Sequence, residues 1–326
     1  MRLTRWFLRR SLRLAAVLGV VAVVAFSLIQ LAPIDPVDAY LGPQMAQVSP
    51  EQRAIIAQRW GFDQPAVSQF FHWARQLLQG ELGWSHIFNQ PVNEVLSQRF
   101  QTSFALLLLA WVGSTVLGFL LGVIAGMREG SFGDRLICLY AYGVASTPAF
   151  WLAIVALLLF SVTLGWTPIC CAGPSGVLRN DVTWWTRLHH LLLPALTLAL
   201  LGIAQITLHT RARMVAVMES EFALHAMAQG AGRWDIAWRH GMRHACLPAM
   251  TLAFASWGEL FGGSILIEQV FAYPGLGQAT VEAGLRSDIP LLLGIALFTT
   301  LFVSTGNLIA DFLHTRIDPR LPGIAS

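Results

Sequence analysis

The chain has 326 residues, of which 55% are hydrophobic and 12% charged, against roughly a quarter charged in an average soluble domain. A mean hydropathy of +0.59, with 12 Trp and 19 Phe, points to a polytopic membrane protein rather than two soluble domains. A formal charge of +3, spread over separated segments, gives no argument for nucleic acid, and the absence of Lys excludes both a phosphate-loop lysine and a Schiff-base amine.

The N-terminal MRLTRWFLRRSLR carries five Arg and no acid, and an apolar run follows from Leu14 to Leu31. A signal peptide has the same order of parts, but its apolar core is only about 7–15 residues long and ends at a small-residue cleavage site. Here the run is long enough to span a bilayer and ends in Ala32-Pro33-Ile34-Asp35-Pro36. Residues 1–32 are therefore expected to form a tail and a retained first transmembrane helix.

Residues 33–102 form a polar region with helical patterns around Glu51–Trp60 and Ala66–Leu78 and turns at Gly61, Gly80 and Gly83. A second apolar run covers Phe104 to Met127, with Gly118, Gly122 and Gly126 at every fourth position. That spacing predicts a helix face that a neighbouring backbone can approach closely. The third run, Leu136 to about Leu164, is interrupted by Ser146-Thr147-Pro148, where proline either kinks the helix or marks its true start. After residues 165–190, Pro194 stands near the start of an expected fourth span, Leu191 to about His209. Pro248 is expected to open the fifth (to about Val270) and Pro290 the sixth (to about Phe312), since proline in a first helical turn costs little.

Six spans place both termini on one side. The N-terminal tail, residues 127–135, residues 210–247 and the C-terminal tail hold 5, 2, 5 and 2 arginines, whereas 33–102, 165–190 and 271–289 hold 4, 2 and 1. The positive-inside rule then predicts N-in and C-in, with 33–102 extracytoplasmic.

Few residues offer chemistry. Glu259 lies inside the fifth apolar run beside Gly258, Gly262 and Gly263, and is either a pathway carboxylate or a hydrogen-bonded structural contact. Glu268, nearer the outer end, is expected to be interfacial or structural. His189-His190 reads as interfacial polarity, with metal binding as the alternative. Cys138 and Cys246 read as small hydrophobes. The neighbours Cys170 and Cys171 bridge only with strain and have no ligand at zinc spacing, so no metal site is assigned. No hydrolase motif is present.

The stretch from Glu219 to Pro248 is the longest polar-rich run of the C-terminal half. A first helix, Glu219 to about Gln229, is expected to end at Gly230-Ala231-Gly232, and a second to run from Arg233 to Pro248. At helical spacing Ile236, His240 and Arg243 fall near one face, with Arg239 and His244 adjoining. An interfacial helix among headgroups is the bland alternative; the glycine break suits a compact knob better.

Glu221…Ala226-x-Ala228-x-Gly230, followed by Trp238-Arg239-His240…Arg243-x-Ala245-x-Leu247-Pro248, resembles the EAA loop of ABC importer permeases, and specifically the peptide/nickel group. Gly61-Phe62-Asp63-x-Pro65, Gly83…Pro91-Val92, Ser146-x-Pro148, Phe150-Trp151-Leu152-Ala153, Ile267-Glu268…Phe271-Ala272-Tyr273-Pro274-Gly275-Leu276-Gly277 and Asp318-Pro319-Arg320 stand in the same order as in that family.

The resemblance implies an all-α polytopic protein with six transmembrane helices in the type I ABC importer (MetI-like) fold. Its permease core would cover 103–315, with the cytoplasmic EAA loop at 213–247 and a cytoplasmic C-terminal tail at 316–326. It implies a non-catalytic inner-membrane subunit with no cofactor of its own. Its partners would be a second homologous permease (as heterodimer or homodimer), two cytoplasmic ATPases carrying ATP and Mg, and a periplasmic binding protein. Glu221, Ala226, Ala228, Gly230, Arg239, His240, Arg243 and Pro248 would make the ATPase coupling surface. Met227 and Gln229 stand where the family often has basic residues, and His244 where Asn is common. Gly258-Glu259-Leu260-x-Gly262-Gly263 resembles nickel-type permeases, which sets an expectation of peptides or metal chelates with a lean to the latter. A gradient-driven secondary transporter or channel is the alternative.

Overall fold

The computed structural model describes residues 2–31, 49–52, 54–55, 65–174 and 181–317. The chain exit at Ala32–Pro36, most of the pattern at Glu51–Trp60, and the motifs Gly61-Phe62-Asp63 and Asp318-Pro319-Arg320 lie outside the described residues, as do the side chains of His240, Arg243 and His314. The described chain is helical but for one two-residue hairpin, β1 (Trp84–Ser85) and β2 (Gln90–Pro91), antiparallel with Trp84 opposite Pro91.

The helices are α1 (Arg2–Leu31), α2 (Ala66–Leu78), α3 (Val92–Met127), α4 (Phe132–Ala145), α5 (Ala149–Ala156, continued by a π-turn Leu157–Thr163) and α6 (Trp184–Met218). They continue with α7 (Glu221–Ala228), α8 (Arg233–Ile236, continued by a π-turn Ala237–Gly241), α9 (Met242–Ala255), α10 (Trp257–Val270), α11 (Leu276–Leu285) and α12 (Ile289–Ile317). Four of them, α1, α3, α6 and α12, are long and apolar enough to cross a membrane alone. The pairs α4–α5 and α9–α10, bent by 107° and 50°, make six if each is one span.

Proline positions refine the expected starts. Pro148 is the N-cap of α5, so it marks where that helix begins rather than kinking a continuous one. Pro290 is in the first turn of α12. Pro194 and Pro248, however, lie inside α6 and α9, because those helices begin upstream of their apolar runs. An interior proline gives up one backbone bond, which is tolerable where neighbouring helices enclose the site, and Pro194 is buried. Similarly, α3 begins at Val92, twelve residues before the apolar run.

The chain divides into two compact units, Met1–Thr102 with Gly275–Thr305, and Ser103–Pro274 with Gly306–Ser326. In the first, Phe26 of α1 packs on Phe70 and Trp73 of α2 at ring distances of 5.4 and 5.8 Å. Buried Asp288 accepts from Ser85 Oγ (2.7 Å), Ile87 N–H (3.2 Å) and Leu291 N–H (3.2 Å), tying the hairpin to the start of α12. A buried carboxylate is tolerated only with such partners.

In the second unit α3 lies directly on α6. A β-carbon placed on Gly118, Gly122 or Gly126 would stand 2.9 Å from Ile206 Cβ, 2.5 Å from Thr210 Cβ and 2.7 Å from Met214 Cβ respectively. Those distances leave no room for any side chain, which is why the stripe is glycine. At the outward end, buried Glu268 accepts from Ser103 Oγ at 2.6 Å, a structural contact between α10 and α3. At the opposite end Asp134 of α4 is buried and bound by Arg211 of α6 through Nε (2.5 Å) and a second nitrogen (2.8 Å). Gly130 N–H also donates to it.

Candidate functional site

The two-helix stretch after α6 is built as a knob with a sealed inner face. Helix α6 ends at Met218 and α7 starts three residues later behind Ser220 in extended conformation. At the far end Ala231 N–H bonds Ala226 O (3.0 Å) and Gly230 N–H bonds Met227 O (2.9 Å), with Gly230 at φ +91°. This is a Schellman cap, and its left-handed position strongly favours glycine. The chain therefore reverses sharply into α8, and α7 and α8 stay together.

The inner face is a continuous apolar core. Ala223 of α7, Ile236 of α8, Ala237 of the π-turn and Ala245 of α9 pack against Val123 and Met127 of α3 and Met214 and Met218 of α6, with Ala226 and Met227 at the edge. Met214 is the wedge of this cluster: a β-carbon on Gly241 would sit 2.8 Å from its sulfur, and one on Gly126 2.7 Å from its Cβ. A flexible thioether fills such an irregular gap well. The knob is thus seated on the same two helices that the glycine stripe brings together.

The outer face is exposed and aromatic. Trp234 and Trp238, with rings 6.4 Å apart, are 53% and 59% exposed, and Phe222 and Leu224 of α7 are also exposed. Arg239 pairs with Asp235 at 2.8 Å in solvent, a contact contributing no more than about 0.5 kcal/mol. Large apolar side chains thus stand exposed on a polar, arginine-bearing knob.

Of the residues singled out from sequence, Glu221, Ala228, Gly230 and Arg239 are exposed, whereas Ala226 and Pro248 are partly buried. Ile236, expected to share a face with His240 and Arg243, is buried in the core cluster, and the side chains of the other two lie outside the described residues. A π-turn at Ala237–Gly241 lies between Ile236 and the start of α9. The exposed pair Trp234 and Trp238 was not singled out as a surface feature, although Trp238 stands in the motif and two Trp four residues apart in a polar stretch are a legible signal. Also missed was the Asp134–Arg211 pair, whose partners are 77 residues apart.

Glu259 stands in the first turn of α10, three residues past the break at Ser256. It is exposed, and Gly262, one turn on, has nothing within 4 Å of where a β-carbon would be. Gly263 instead faces Leu198, at 3.3 Å. No group of three or more metal-capable side chains occurs among the described residues. His189 Nε2 and His190 Nδ1 both donate to carbonyls, of Trp166 (2.9 Å) and Cys170 (3.0 Å), so those nitrogens are committed. Cys170 and Cys171, neighbours to which no metal site was assigned, are bonded to each other.

Comparison with known proteins agrees with this architecture. Residues 118–322 match the family model of the binding-protein-dependent transport system inner membrane component, and residues 3–107 match that of its N-terminal region. The chain is 36% identical over 320 residues to a peptide transport system permease protein of Brucella abortus, covering 98% of this chain and 99% of that one. It is 31% identical over 316 residues to a peptide ABC transporter permease protein of Sinorhizobium fredii (97% and 98% covered). To the oligopeptide transport system permease protein AppB of Bacillus subtilis it is 29% identical over 317 residues (97% and 98% covered).

Proposed function

The chain belongs to the family of binding-protein-dependent transport system inner membrane components, and from that premise we propose that it is a membrane-spanning subunit of an ATP-driven peptide importer. It is a multi-pass inner-membrane protein. The proposed substrate class follows the relatives, which carry peptide and oligopeptide names; they lend no support to the nickel or metal-chelate expectation.

The observation that carries the mechanism is the knob of α7 and α8, with its exposed Trp234, Trp238 and Phe222 on the arginine-rich side and its inner face locked onto α3 and α6. A cytoplasmic ATPase gripping the outer face would move a rigid body rather than a loop. Through Met214 and the glycine stripe, that movement would reach the spans themselves. The chain has no Lys for a phosphate loop, so ATP hydrolysis falls to separate ATPase subunits, and a second permease subunit and an extracytoplasmic binding protein complete the importer. Glu259, exposed in the first turn after the break between α9 and α10, would line the substrate passage; a membrane-depth carboxylate facing lipid would be far costlier.

The test is reconstitution in proteoliposomes with cognate ATPase and binding-protein subunits. Uptake of a labelled peptide should require ATP and all components. Uptake by the permease subunits alone, driven by an ion gradient, would overturn the reading in favour of a secondary transporter.

A further inference from the structure

The outward-side loop between α5 and α6 holds a feature that the importer reading does not use. Cys170 and Cys171 are bridged, both are partly exposed, and the chain's other two cysteines, Cys138 and Cys246, are free and distant in sequence. We propose that Cys170 and Cys171 form a thiol–disulfide exchange site that accepts a dithiol reductant, and that its reduction releases this loop from the outward end of α10.

The bridged pair holds an unusual backbone conformation and two contacts made from it. Cys171 sits at φ +73°, the left-handed region that residues with a β-carbon rarely adopt. A bridge between neighbours closes a small ring through the peptide that joins them, and so limits the conformations open to both. In this conformation Cys171 N–H donates to Phe271 O at 3.0 Å, and Cys170 O accepts from His190 Nδ1 at 3.0 Å. Phe271 is the buried C-cap of α10, and Ala272 after it is also at positive φ, +44°. The pair therefore pins the loop to the end of one span and the start of another. Once the ring opens, nothing covalent retains the positive φ of Cys171, and its N–H leaves Phe271 O.

The chemistry balances without a metal. A thiolate of the dithiol attacks one sulfur, the Cys170–Cys171 bond breaks, and the other cysteine leaves as thiolate and takes a proton. The reductant's second thiol then attacks the mixed disulfide, releasing the remaining cysteine as a thiol. The dithiol becomes a cyclic disulfide, and the chain gains two electrons and two protons.

The experiment uses the full chain in lipid nanodiscs with Cys138→Ser and Cys246→Ser, treated with dithiothreitol. Maleimide mass-tagging should count no thiols before reduction and two after. Amide exchange at Cys171 should rise roughly tenfold, as for loss of one hydrogen bond. A Cys170→Ser/Cys171→Ser variant should exchange fast from the outset and ignore dithiothreitol. Thiols before treatment, none after it, or unchanged exchange overturns the proposal, as does slow exchange in the serine variant.

A transport arm rests on the importer reading. The assembled importer should take up peptide several-fold more slowly when reduced, while the serine variant does not respond. If neither redox form imports peptide but tags and exchange behave as stated, the importer reading falls and the exchange site stands. Equal uptake by both forms overturns any influence of the site on transport.

Discussion

Met214 of α6 occupies the space that a β-carbon on Gly126 of α3 would need, with only 2.7 Å between that position and Met214 Cβ, and the same distance to the Arg211 carbonyl. The carbonyl cannot move without shifting α6, so Gly126→Ala should lower stability by about 1–3 kcal/mol through overpacking. Gly143, in the last turn of α4, has nothing within 4 Å. There the same substitution should raise stability by up to about 1 kcal/mol, the helix-propensity gain. Thermal melts of both variants in one detergent check the contrast; equal melting temperatures would mean that the close approach carries no cost.

Gly230 offers a different separation, between conformation and size. Its surroundings are open, but its φ of +91° is unfavourable for other residues by about 1–2 kcal/mol. Gly230→Val should therefore loosen the Schellman cap, and Gly230→Arg should do so while adding bulk to the docking side. Gly230→Asn should be nearly silent, since Asn tolerates the left-handed region. Co-purification of the ATPase subunit ranks them: Asn close to wild type, Val reduced, Arg lowest. Loss with Asn equal to loss with Val would mean that the cap is not what matters.

The signals legible in the sequence were local and periodic. The spacing of Gly118, Gly122 and Gly126 marked one helix face, and Gly230 marked a helix end, because each signal is contained within a few turns of chain. Pro148 and Pro290 marked starts for the same reason, whereas Pro194 and Pro248 misled because polar residues upstream, such as Thr186 and Arg243, extend their helices without raising hydropathy. The π-turn at Ala237–Gly241 has no reliable sequence signature. Asp134 meeting Arg211 and Cys171 meeting Phe271 depend on how distant segments pack, and no periodicity encodes either.

The Asp134–Arg211 pair should behave as a buried one. Asp134 is 3% exposed and Arg211 23% at the side chain, so removing either partner strands a charge at a cost of about 1–3 kcal/mol, discounted from the fully buried case for arginine's exposure. Asp134→Asn and Arg211→Gln should each lower the melting temperature, and the double variant should lose less than the two losses added. Glu129, half exposed and 3.4 Å from the same Arg211, should contribute at most about 1 kcal/mol, so Glu129→Gln should be almost silent. Strict additivity of the first two would show that the pair is not coupled.

Glu259 is testable through substrate charge. A carboxylate about 4 Å from an ammonium gains about 1 kcal/mol in water and about 4 at an effective dielectric of 20. Glu259→Gln should therefore reduce uptake of a peptide with a free amino terminus by about tenfold relative to its N-acetylated form. An unchanged ratio removes Glu259 from the passage.

The outer face of the knob makes the most direct demand. Trp234 and Trp238 are each more than half exposed, so truncating either in the isolated permease should change stability by no more than about 0.5 kcal/mol, as for other surface positions. If they are anchors buried by the ATPase, each should cost about 2 kcal/mol or more of binding, near a thirtyfold rise in Kd. Arg239, already paired with Asp235 in solvent, should matter far less, and Arg239→Ala should shift Kd by no more than about fivefold. Titrating ATPase subunit onto permease in nanodiscs, with melting temperature measured in parallel, separates docking from folding. A Trp238→Ala variant that binds within twofold of wild type would place the ATPase elsewhere on the cytoplasmic side.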